Sequence, residues 1–109
     1  MSKREVVFID PSIENWEILS SATKTGIEIV ILDPHKDGMT QIANWSNGKT
    51  GYDTIHIASH GSESKIHIGS AILDNSSIQS YKVQLESIGA ALSESGDILI
   101  YGCNVSAGD

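Results

Sequence analysis

Four short apolar runs, residues 6–9, 27–32, 54–59 and 98–101, constrain this chain more than any other feature. They are rich in isoleucine and valine, and they close on Asp10-Pro11, Asp33-Pro34, His60-Gly61 and Gly102-Cys103. Runs this short and this continuous are the pattern of strands covered on both faces, as in a parallel sheet. Between them the period lengthens. Ile13, Trp16, Leu19 and Ala22 recur at three-residue steps, as do Met39, Ile42 and Trp45. Ile78, Tyr81, Leu85, Ile88 and Leu92 come at threes and fours, the spacing of an apolar helix face. Strands alternating with helices imply right-handed crossovers. The expected fold is a three-layer α/β sandwich with a mainly parallel sheet in the order 2-1-3-4.

One segment breaks the alternation. Ile66 and Ile68 are interleaved with polar residues, Gly69-Ser70 is a two-residue turn, and residues 71–73 return to apolar. This predicts a small hairpin projecting from the sheet edge. Asp10 or Ser12 is expected to cap the first helix, with Pro11 in its first turn, and Gly96 to end the last helix before the fourth strand.

The totals exclude several functions. A net charge of −7 on 109 residues argues against non-specific binding to nucleic acid or to an anionic membrane, both of which reward a basic surface. No apolar run approaches the roughly 20 residues of a membrane span. The run at residues 6–9 is too short for a signal-peptide core. With 39% hydrophobic and 19% charged residues, the chain suits one globular domain over residues 1–109. A single cysteine permits no internal disulfide.

The chemistry lies at the strand ends. In a parallel sheet His60 and Cys103 emerge at one edge, where open α/β sheets place their sites. A thiol nucleophile needs an imidazole to take its proton and backbone donors for the oxyanion. Gly61 is the candidate donor, and a peptide or protein is the substrate such a dyad would take. The plainer alternative is a buried cysteine acting as a small hydrophobe beside a loop histidine. His56 is expected to be a packed, hydrogen-bonded histidine. With one cysteine and no close histidine pair in the sequence, zinc is not expected. Asp33, Asp37 and Gly38 match positions one, five and six of a calcium loop, but His35 and Asn44 occupy positions three and twelve. A turn is the stronger reading there, and a calcium site the weaker one.

Ile-Ala-Ser-His-Gly at 57–61 and Ile-Tyr-Gly-Cys-Asn at 100–104 resemble the two signatures of the caspase, gingipain and clostripain clan of cysteine peptidases. Cys103 comes after His60 at close to the roughly 50-residue separation of caspases, without their Gln-Ala-Cys-X-Gly. A wider resemblance covers nearly the whole chain. Val-Phe-Ile-Asp at 7–10, Val-Ile-Leu-Asp-Pro at 30–34 and Gly-Asp-Ile-Leu-Ile-Tyr-Gly-Cys-Asn-Val at 96–105 are similar to a bacterial domain-of-unknown-function family. That family lies near the N-terminus of very large, repeat-rich secreted or surface proteins. The resemblance implies a truncated caspase-like fold, with the chain as the N-terminal part of a longer domain, and a secreted or surface location. It further implies a helix after Cys103 and, in the caspase fold, further strands; with only residues 105–109 following, the fourth strand is expected to keep a free edge that invites self-association. Two functions are expected in consequence: a cysteine endopeptidase or self-processing module, or a non-catalytic module at the head of a surface adhesin.

Overall fold

The computed structural model describes residues 4–11, 13, 17, 26–62 and 65–102, with the backbone alone for His60, Gly61, Ser62 and Gly102. Strand β1 (Glu5–Ile9) lies parallel to β2 (Glu28–Ile31), with Val6 opposite Glu28 and Ile9 opposite Ile31. On its other side it runs parallel to β3 (Tyr52–Ser62), Glu5 opposite Thr54 and Ile9 opposite Ala58. Helix α1 (Gly38–Ser46) connects β2 to β3. After β3 come β4 (Lys65–Ile68), β5 (Ala71–Leu73), a 3-10 turn (Ile78–Tyr81), helix α2 (Lys82–Ala90) and β6 (Leu92–Gly102). β6 pairs in parallel with β3, so the sheet carries the expected order, β2-β1-β3-β6.

One face of the sheet carries the main core. Val6 and Phe8 of β1 and Ile55 and Ile57 of β3 are buried against Met39, Ile42 and Ala43 of α1 and Ile88 of α2. Each of the larger side chains among these, moved out of water, contributes about 1.5–3 kcal/mol. Trp45 stands edge-on between Phe8, at 5.1 Å, and Tyr52, at 5.5 Å, where aromatic quadrupoles favour that geometry. Asp37 caps α1 by accepting the Thr40 N–H, and its other carboxylate oxygen accepts the Tyr81 hydroxyl. On the opposite face a smaller cluster joins Ile9, Ile13 and Ala58, with Val7 against it. Of the helix expected from Ile13 through Ala22, only Ile13 and Glu17 are among the described residues.

Three expectations are corrected. The third strand does not stop at Ser59. β1 turns away at Asp10, and the backbone groups of β3 beyond that point need new partners. β4 supplies them in an antiparallel ladder, His60 opposite His67, Gly61 opposite Ile66 and Ser62 opposite Lys65. The hairpin of β4 and β5 turns at Gly69-Ser70 as expected, yet it does not project. It folds back over the sheet edge, where the Gly69 N–H reaches Asp10 and the Ser70 N–H donates to the Lys36 carbonyl. The last helix breaks early, at Ala90, and Leu92 already belongs to β6. Gly96 therefore sits inside a strand instead of ending a helix. Tyr52 pairs with Leu92 and Thr54 with Asp97, so β6 bulges between them. A Cβ on Gly96 would stand 2.6 Å from the Tyr52 carbonyl oxygen, which is why the bulge takes glycine.

Candidate functional site

The carboxyl edge of the parallel strands is assembled from β1, β3, β6 and the folded-back hairpin. Asp10, one residue past β1, is fully buried. Its Oδ2 accepts the Gly69 N–H at 2.7 Å, while its own N–H goes to the Ala58 carbonyl. Gly69 has φ +61, and a Cβ there would lie 2.2 Å from the Lys36 carbonyl oxygen. The hairpin is thus seated on the β1 side of β3. The other side of β3 belongs to β6.

That pairing is continuous up to the edge. Ile55 faces Ile98, Ile57 faces Ile100, and Ser59 faces Gly102. Ser59 is buried, and its hydroxyl donates to the Tyr101 carbonyl at 3.3 Å, holding the two strands in register. His60 is the residue after Ser59, and Cys103 is the residue after Gly102. Cys103 itself lies outside the described residues.

The backbone of β3 alternates sides along its length. Thr54 donates its N–H to Arg4, and Ala58 accepts from Asp10, so the even-numbered residues turn their polar groups toward β1. His60, continuing that side, bonds to β4. Gly61 turns its N–H the other way, toward the β6 side.

His56 behaves as expected. It is 18% exposed, with Nε2 at 2.7 Å from Glu5 Oε1 and Nδ1 at 2.9 Å from the Tyr101 hydroxyl. The Tyr101 ring stacks on it at 12°. Asp33 and Asp37 serve the chain itself. Asp33 Oδ1 accepts the His35 N–H in a turn that Gln41 braces, and Asp37 is the helix cap already described. Among the described residues no three histidine, cysteine or acidic side chains converge on one point.

The sequence did not foresee two features. The first is an apolar groove of about 380 Å³ walled by Ile66, Leu73, Ile78 and Ile100, with Lys65 and Asp74 at its rim. Ile66 is the cross-strand partner of Gly61, so the groove borders the edge. Hydrogen bonds from Ser76 and Ser77 hold the Asp74 carboxyl below its ordinary range. The second is the closeness of His60 and His67, seven residues apart in sequence and directly opposite across the β3–β4 ladder. The signal was available, because only two residues separate Ser62 from Lys65 in the sequence.

Fold and edge together define an α/β protein with a mainly parallel sheet and a hairpin seated over its carboxyl end. The family model described as a domain of unknown function, DUF4347, matches residues 6–109, and the chain belongs to that family. No curated protein matches the chain.

Proposed function

We propose that this domain is a cysteine peptidase, or a self-processing module, of the caspase-like kind. The observation that carries the reading is the register Ser59–Gly102, since His60 and Cys103 each come directly after a member of that pair. In this reading the Cys103 thiolate attacks the peptide carbonyl carbon and His60 holds the proton taken from sulfur. The C–N bond then breaks, His60 returns the proton to the leaving amine, and water releases the acyl group from sulfur. The Gly61 N–H, turned toward the β6 side, supports its role as an oxyanion donor with the amide of Cys103. The apolar groove at Ile66 and Ile100 supplies a seat for an apolar substrate side chain.

The setting this activity fits is the head of a large secreted or surface protein, where one internal cut separates the head from the remainder of the chain. β6 carries a further feature of that setting. Leu99, Ile100 and Tyr101 are 43%, 40% and 44% exposed, and among the described residues β6 pairs with β3 alone. A free apolar edge of this kind takes a second copy of the chain.

The test is the rate of iodoacetamide modification of Cys103 against pH, in the natural full-length protein. An activated dyad gives fast alkylation well below the pH of a free thiol, and His60→Ala abolishes the advantage. An ordinary thiol titration, unchanged by His60→Ala, would sink the peptidase and leave the non-catalytic module.

A further inference from the structure

We infer that Glu5, His56 and Tyr101 form a nucleophilic triad on the face of the sheet turned away from the main core, in which the Tyr101 phenol accepts an acyl group from a small neutral ester or thioester. The three side chains come from three neighbouring strands. Ile55 and Ile57 are buried in the main core, so the alternation along β3 turns His56 to the opposite face. Glu5 lies level with Thr54, on one side of His56, and Tyr101 lies level with Ala58, on the other. The triad therefore runs diagonally across β1, β3 and β6, and regular strands hold each member in place.

The hydrogen bonds give each member a role. Glu5 Oε1 stands 2.7 Å from His56 Nε2, and the Tyr101 hydroxyl stands 2.9 Å from His56 Nδ1. A carboxylate only accepts, so Nε2 carries the ring proton, and in the neutral imidazole Nδ1 is left as the acceptor. The Tyr101 hydroxyl therefore donates to His56. This is the order of a nucleophile, its base and a group that orients the base. The two rings lie within 12° of parallel, which keeps the phenol oxygen at the imidazole. Tyr101 is 44% exposed and so open to a donor arriving from solvent.

The surroundings set the class of donor. Leu99, directly opposite His56 on β6, is half-exposed and offers apolar surface beside the phenol. The Glu5 carboxylate and the net charge of −7 repel anionic donors such as phosphoryl compounds. In the step, Tyr101 Oη bonds to the acyl carbon and its proton passes to His56 Nδ1, with the Glu5 carboxylate facing the imidazolium that forms. The bond from the acyl carbon to the leaving oxygen or sulfur then breaks. The leaving group takes the proton back from His56, and an aryl ester remains on Tyr101. The triad uses neither His60 nor Cys103 and stands without the peptidase reading.

The experiment treats the wild-type protein with p-nitrophenyl acetate at neutral pH and locates the acetyl groups by tandem mass spectrometry of its peptides. That readout separates Tyr101 from Cys103, from the lysines and from the other tyrosines. Tyr101 is expected to acetylate at least about a hundredfold faster than N-acetyltyrosine amide in the same buffer, the gain a positioned base supplies. His56→Phe keeps a ring against Tyr101 and removes the base, and should return Tyr101 to the rate of the free compound. A wild-type Tyr101 that reacts no faster than the free compound would overturn the assignment. So would a fast Tyr101 that His56→Phe leaves unchanged. The comparison with the free compound needs no variant, and it decides the question if His56→Phe does not fold.

Discussion

Tyr52 shows how one residue can carry several terms at once. Its ring is buried against Trp45, its hydroxyl donates to Glu28, and the Arg4 guanidinium lies 4.2 Å over its face. Burial first, and the hydrogen bond to Glu28 second, push the phenol above its ordinary value, against a smaller opposing pull from Arg4. A raised folded-state value means that the neutral phenol is favoured in the native state. Its contribution is complete below about pH 10, where an unfolded tyrosine begins to ionise, and is lost as pH rises through the native value. Tyr52→Phe keeps the aromatic packing and loses the hydroxyl. It should cost about 1 kcal/mol near neutral pH and flatten the alkaline decline in stability, read from urea midpoints between neutral and strongly alkaline buffer. Tyr81, raised by burial and by its bond to Asp37, adds to the same alkaline decline, so some slope should remain in the variant.

The β4–β5 hairpin decides the shape of the candidate site. Alternating Ile66 and Ile68 made it legible as a hairpin, but where it docks depends on contacts distant in sequence. Gly69 must reach the buried carboxylate of Asp10, 59 residues away, while passing close to the Lys36 carbonyl. Gly38 gives way on the other side, since a Cβ there would stand 2.3 Å from the Ile68 side chain. Gly69→Ala is therefore expected to destabilise the fold by about 2 kcal/mol or more, through its positive φ and the clash with Lys36. Urea unfolding measures the loss. Hydrogen exchange should show the amides of residues 66–73 losing protection ahead of the parallel strands. An unchanged midpoint would mean that the hairpin is not held at this point. The last helix carries the same lesson in reverse. Its apolar spacing continues smoothly from Ile88 to Leu92, and only the pairing of Leu92 with Tyr52 reveals that the chain has already become a strand.

For the whole molecule, β6 is where the fold meets the proposed function. It bears the register that leads to Cys103, and it offers three consecutive exposed apolar residues at an edge that no other strand among the described residues covers. Self-association through that edge predicts a weight-average mass that rises with concentration in sedimentation experiments. Leu99→Lys should suppress the rise, because a charge on an edge strand opposes pairing with another chain. A monomer at all concentrations would rule the edge out as an interface between copies. No helix among the described residues is long and apolar enough to cross a membrane.

Local pattern determined the parallel β-α layout, the strand order, the helix α1 and the hydrogen-bonded His56; the Asp37 cap came only with the structure. Periodicity and turn chemistry act within a few residues, so one sequence suffices to read them. The extension of β3 past Ser59, the seating of the hairpin on Asp10, the apolar groove beside Gly61 and the opposition of His60 and His67 were decided only in the tertiary structure. Each depends on which strand inherits a vacated edge, and unpaired backbone groups choose their partners by proximity in space.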